Sequence, residues 1–238
     1  ERLRRMWETS PGLYGWIATV DHKQIGLRYI VPAFVFLLLG GVEALIMRLQ
    51  LAQGGERLLT PEQYDQLFSM HGITMIFLYA LPVLSGFSNF LFPLVLGGRD
   101  MAFPRLNAFS FLLTAFGGLM MYYRFLGGFG LYGMGNAPDI AWFAYAPLSE
   151  NPFSPGHSTD YWAIALIVSG FGTLGTAINI AATTLSMRCR GMTLMRMPLF
   201  VWLMLVVSGL TLITITPLTA AQIMLVIDRF LGAHFFDS

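Results

Sequence analysis

The sequence predicts an all-α fold, a polytopic transmembrane helix bundle with five spans, on three observations. Only 11% of its 238 residues are charged, where soluble domains carry about a quarter. Hydrophobic residues make up 55%, and the mean hydropathy is +0.63. Five separate stretches each reach the roughly 20 mainly apolar residues that a spanning helix needs. A lipid bilayer is therefore the solvent for most of the surface. With a net charge of only +1, nothing points to nucleic acid as a partner.

Residues 1–28 read as an N-terminal segment and 29–238 as the bundle. Residues 1–7 are charged and contain no apolar core of a secretory leader. The sequence does not begin with methionine, so further residues are expected before Glu1. The first span covers 29–49 and carries two charges, Glu43 and Arg48. Five positions apart, they do not share a helical face and make a poor pair. Glu43 is expected to face a protein partner or water. Arg48 falls at the outer end, level with His71, where it could bond a polar group of a cofactor or snorkel to the interface.

The second span covers 70–96 and opens on His71, the one histidine read as lying within or at the start of a span. An ionisable group at membrane depth marks a functional position by default, and imidazole is a common axial ligand of haem iron. A histidine bonded to a backbone carbonyl near the interface would look the same in sequence. Asn89 follows 18 residues later, about 27 Å along the helix, near the inner face. The next loop holds Asp100, and Asn107 opens the third span, 106–125. An outer loop, 126–160, rich in glycine, proline and aromatics, is expected to cap the bundle.

The fourth span, 161–187, returns Asn179 to the inner third with Thr176 and Thr173 above it. Its run Gly170-Phe171-Gly172-Thr173, with Gly175, suggests close helix contact. One carboxylate and three carboxamides thus approach one inner mouth. They could order a file of water that passes protons, or each amide could simply bond a neighbouring helix. The fifth span covers 198–227. Ten basic residues, including Lys23, Arg28, Arg99, Arg105 and Arg188, collect at one end of the five spans, and only Arg48, Arg57, Arg124 and Arg229 at the other. The positive-inside rule places the N-terminus in the cytoplasm. The single cysteine, Cys189, excludes an intrachain disulfide framework and a thiolate metal cage.

The order of motifs is more specific than any one of them. Val20-Asp21-His22-Lys23-Gln24-Ile25-Gly26 precedes the first span, and His71-Gly72-Ile73-Thr74-Met75-Ile76-Phe77 opens the second. Asp100-Met101-Ala102-Phe103-Pro104-Arg105-Leu106-Asn107 forms the next loop. Trp142-Phe143-Ala144-Tyr145-Ala146-Pro147-Leu148 and Pro198-Leu199-Phe200-Val201-Trp202 follow in turn. The series resembles subunit I of the haem-copper terminal oxidases, in particular cytochrome c oxidases of the group with a D-type proton pathway, across essentially the whole chain.

The resemblance implies that His71 is one of two axial ligands of a low-spin haem, of the A type usual in such oxidases. It implies that Arg48 bonds the formyl group of that haem and that Tyr64 and Trp142 lie near its propionates. Asp100 matches the carboxylate at the mouth of the D pathway. Asn89, Asn107 and Asn179 match the asparagines that order its water, and Thr173 stands where the family often has serine. The implied partners are other oxidase subunits, including a copper-bearing subunit that receives electrons, cytochrome c, and the rest of subunit I. The implied setting is a bacterial plasma membrane.

The departures matter equally. No His-Pro-Glu-Val-Tyr-like motif follows, and the second axial histidine, the ligands of the high-spin haem and copper B, and the lysine of the other proton pathway have no match here. None of the oxygen-reducing residues is therefore expected in this portion. A longer subunit is expected to continue past Ser238, with a subunit split into two chains as the alternative. A quinol oxidase of the same superfamily would share these helices. A haem-free transporter or scaffold built on the same bundle is the rival of another class.

Overall fold

The computed structural model describes residues 12–52, 54, 58–126 and 137–236, and of residues 124–126 the backbone alone. The expectations attached to residues 1–11, Arg57, the Arg124 side chain and residues 127–136 lie outside this description. Among the described residues there is no strand. Five helices are long and apolar enough to cross a membrane.

A short helix α1, Gly12–Ala18, precedes α2, His22–Leu51. The Asp21 side chain caps α2 by accepting a hydrogen bond from the Lys23 amide at 2.9 Å, satisfying a donor that a helix N-terminus leaves free. The 30 residues of α2 measure about 45 Å, and Pro32 is accommodated inside it. The second span begins well before its apolar run, with α3 at Pro61–Ile73. Thr60 and Gln63 form a reciprocal capping box there, and Pro61 supplies a preset φ in the first turn. A seven-residue π-helix, Thr74–Ala80, then widens the turn before α4, Leu81–Leu96, which stops at Gly97 in the left-handed region at φ 72°.

The remaining spans are α5, Pro104–Leu126, α6, His157–Ser186, and α7, Leu199–Leu231, with a 3₁₀ turn at Leu194–Arg196 before the last. The helices are thus longer than the apolar stretches, mostly at the ends where polar caps and first turns carry no hydropathy signal. One consequence corrects the sequence reading. His22 and His157 are the first residues of α2 and α6, so His71 is not the only histidine at a helix of the bundle.

The most extensive packing joins α5 to α6, then α6 to α7 and α2 to α4. α6 is the central helix: 61% of its most apolar 18 residues are buried, against 22% for α2 and 17% for α7. The expected close approach at its small residues is present. A Cβ placed on Gly172 would lie 2.6 Å from the Ser110 carbonyl oxygen of α5. α2 and α4 cross at a similar point, where a Cβ on Gly26 would lie 2.9 Å from the Gly86 carbonyl oxygen. Backbone-to-backbone contact of this kind replaces the hydrophobic drive that lipid does not provide.

The described part of the connection between α5 and α6 lies against the ends of three helices. The Ala141 amide donates to Ser69 Oγ of α3 at 2.8 Å. Arg229, near the end of α7, donates through Nε to Asp160 Oδ1 of α6 at 2.5 Å. It also donates to the carbonyls of Ser149, Ser154 and Gly156.

Candidate functional site

His71 sits in the last turn of α3, half-buried. Its Nδ1 lies 2.9 Å from the carbonyl oxygen of Gly40 on α2. A carbonyl only accepts, so Nδ1 carries a proton and Nε2 is the nitrogen left for a further partner. The sequence left open whether His71 bonds a carbonyl or holds a metal. The geometry satisfies the first and supports the second, because a ligating histidine commonly donates its other ring N–H to a carbonyl. The residues therefore fit one half of an axial haem site: an oriented imidazole whose second nitrogen is available.

The neighbours of His71 are partly those expected. A Cβ on Gly72 would sit 3.0 Å from Trp142 Cδ1, so Trp142 packs on the residue that follows the histidine. Tyr64, half-buried, precedes His71 by seven residues, two turns along the same face of α3. Arg48 needs correction. The residue of α2 level with His71 is Gly40, and Arg48, exposed, lies eight residues further, about 12 Å along the axis.

Glu43, one turn from Gly40, is buried at 4% exposure. It bonds Tyr122 of α5 rather than Arg48: the tyrosine hydroxyl donates to Glu43 Oε1 at 3.1 Å and lies 2.7 Å from Thr74 Oγ1. The expectation that Glu43 faces protein is met. The partners were invisible in the sequence because 79 positions separate carboxylate and phenol.

At the basic end of the bundle, the loop between α4 and α5 is clamped by α6. Asn179 Oδ1 accepts from the Phe103 amide at 2.9 Å, and its Nδ2 donates to the Phe103 carbonyl at 3.1 Å. Thr183 Oγ1 accepts from the Ala102 amide at 2.9 Å. The same Phe103 carbonyl accepts from the Asn107 amide at 3.0 Å, which brings Asn107 and Asn179 to one place. Asp100 stands in this loop, 30% exposed at its side chain, with His22 Nδ1 3.4 Å from Oδ1.

The three asparagines are fully buried but differ in their bonding. Asn179 uses both ends of its amide to hold the loop, the plain structural use of a membrane asparagine. Asn89 donates to the Ser85 carbonyl of its own helix at 2.8 Å and leaves Oδ1 without a partner. Both polar atoms of the Asn107 amide are unpartnered. Buried polar groups in this state call for water, so the water-ordering reading gains support at Asn89 and Asn107. Thr173 donates to the Ser169 carbonyl at 3.1 Å.

Two members of this region were not singled out by the sequence. His22 is 1% exposed, and its signal was only the Asp-His pair at a helix start. Tyr29 is 2% exposed, and its hydroxyl lies 3.5 Å from Thr176 Oγ1 of α6. Seven residues separate Tyr29 from His22, two turns on one face of α2. That spacing could have flagged it.

Known proteins resemble this chain along most of its length. The sequence model of the family described as cytochrome c and quinol oxidase polypeptide I matches residues 24–238. A Streptomyces coelicolor protein bearing the name cytochrome c oxidase subunit 1-beta is 47% identical over 226 residues, 95% of this chain and 38% of that protein. The proteins named cytochrome c oxidase subunit 1 of Corynebacterium glutamicum and Corynebacterium efficiens are each 43% identical over 228 residues, 95% of this chain and 38% of their own length. The chain thus spans about two fifths of the length of the curated relatives it matches. With five span-length helices arranged as described, it belongs to the cytochrome c and quinol oxidase polypeptide I family of integral membrane proteins.

Proposed function

We propose that the complete subunit reduces oxygen to water with electrons from cytochrome c and couples this to proton pumping, and that this portion holds one ligand of the low-spin haem and the mouth of the D-type proton pathway. The observation that carries the proposal is the bond from His71 Nδ1 to the Gly40 carbonyl, which fixes the tautomer and aims Nε2. A haem bound there, of the A type, supplies reversible one-electron transfer. The second axial ligand, the high-spin haem and copper B belong to the part of the subunit outside this chain.

The Gly40 carbonyl of α2 orients the His71 ring. Trp142 and Tyr64 bound the site. Asp100 receives protons at the basic end, cytoplasmic in this reading, within a bacterial plasma membrane. From there the unpartnered amides of Asn107 and Asn89 hold water, and Tyr29, Thr176 and Thr173 extend the line of hydroxyls into the bundle. Asn179 keeps the loop of Asp100 in position. Other oxidase subunits, including a copper-bearing one, deliver the electrons. The names of the relatives favour cytochrome c over quinol as donor.

The test is the reduced-minus-oxidised optical spectrum of the native complex, with and without carbon monoxide. Two haem populations are expected, one of which binds carbon monoxide. A complex without haem would refute the role given to His71. Oxidation of reduced cytochrome c by the same preparation, and not of quinol, is the expected donor result.

A further inference from the structure

A groove of about 370 Å³ is lined by α2 and α5, with Leu78 and Pro82 also contributing. Its walls, formed by Val31, Val35, Ala115 and Leu119 among others, are apolar, and Val31, Val35 and Leu119 are 60%, 51% and 67% exposed. The groove therefore opens sideways from the bundle. One cation, Arg28, lies at one end of it.

Arg28 is only 6% exposed, and its Nε and Nη2 have no hydrogen-bond partner among the described residues. Its one recorded contact of charge character is the ring of Trp16, 4.1 Å from the guanidinium carbon. Stacking on an aromatic face offsets part of the cost of burying a cation, but it satisfies neither N–H. A planar fork of N–H donors is the shape that recognises a phosphate.

The depth of Arg28 fits the same chemistry. Trp16 belongs to α1, whose Leu13, Tyr14, Trp16 and Ile17 are all well exposed, and exposed aromatics of this kind settle at the membrane surface. Arg28 stacks on that helix, at the end of the bundle that also carries Lys23, Arg99, Arg105 and Arg188. From Arg28 to Phe36 the groove follows eight residues of α2, about 12 Å into the hydrocarbon. An anion at the surface joined to an apolar chain pointing inward is the occupant that meets both requirements.

We propose that this groove binds one anionic phospholipid, its phosphate on the Arg28 guanidinium and one acyl chain laid between α2 and α5. A helix of another subunit, or of the remainder of this one, would fill the apolar part but leave the guanidinium unmatched unless it brought an acid to that point.

The experiment is native mass spectrometry of the full-length subunit in its complex, equilibrated with phosphatidylglycerol or with phosphatidylcholine. Haem absorbance on the same samples reports assembly. The wild type is expected to retain phosphatidylglycerol in preference to phosphatidylcholine. Arg28→Gln is expected to lower that retention about tenfold, the loss of one charge-assisted contact, and Arg28→Lys to restore part of it. Ala115→Phe, which fills the groove without touching the cation, is expected to lower retention of both lipids. Equal retention of the two lipids by the wild type, or unchanged retention in both Arg28→Gln and Ala115→Phe, would overturn the proposal. So would efficient cross-linking of the Leu119→Cys variant to another protein segment.

Discussion

His71 Nδ1 and the Gly40 carbonyl oxygen meet at 2.9 Å across two helices, so α2 decides which nitrogen of the α3 imidazole is left over. Replacing His71 by glutamine in the full-length subunit removes that nitrogen while keeping a side chain able to bond Gly40. The low-spin haem band should then be nearly abolished in the optical difference spectrum, while the population that binds carbon monoxide persists. An intact low-spin band would show that the iron is held elsewhere.

Asp100 is the one carboxylate of the loop that Asn179 clamps, and its side chain is still partly open to solvent. Asp100→Asn is expected to slow oxygen consumption about tenfold or more, the scale of a lost proton-transfer group, and to abolish proton ejection by proteoliposomes. Haem spectra should not change. Normal turnover together with normal pumping would remove Asp100 from the pathway.

Asn179→Leu tests the clamp itself. The change keeps the volume but leaves the Phe103 amide without its partner and the Phe103 carbonyl with the Asn107 amide alone, and a buried group left unpaired costs about 1–3 kcal/mol. The thermal transition of the complex should fall by several degrees, and turnover should fall with it as the Asp100 loop loosens. A variant with unchanged thermal stability and slowed turnover would mean that Asn179 serves water rather than the loop.

Arg229 and Asp160 form a buried pair, with the guanidinium further satisfied by three backbone carbonyls. Arg229→Met leaves Asp160 buried and only its His157 contact intact. Breaking such a pair costs about 3–5 kcal/mol. The double change Arg229→Met with Asp160→Leu should cost less than Arg229→Met alone, as read from thermal inactivation midpoints. Additive losses would show that the two residues are stabilised independently.

The spans were legible because hydropathy reports what lipid requires, and the glycines of α6 were legible as contact points because small side chains serve little else there. The beginnings of helices were less so. Thr60-Pro61-Glu62-Gln63 spelled a capping box, yet it stands nearly three turns before the apolar run and was passed over. The site divided in the same way. Asp100, Asn107 and Asn179 could be set at one level by counting residues, but only the fold showed that Asn179 spends its amide on Phe103 whereas Asn107 spends neither end. Glu43 and Tyr122 are joined by tertiary packing between distant helices, which no local pattern encodes.

The π-helix has a consequence for the whole second span. His71 and Asn89 are 18 residues apart, five complete turns at 3.6 residues each, so an uninterrupted α-helix would stack them on one side. Between them the Leu81 amide reaches back five residues to the Ile76 carbonyl, which places about one residue more than the α register allows, a rotation of about 100°. The ligand proposed for iron and the amide proposed for water thus leave the same rod out of phase, each toward its own compartment. In that reading the two routes are set apart by angle as well as by the roughly 27 Å between the residues along the axis. A one-residue deletion that returned Thr74–Ala80 to the α register would leave 17 residues between them and so keep this offset of about 100°.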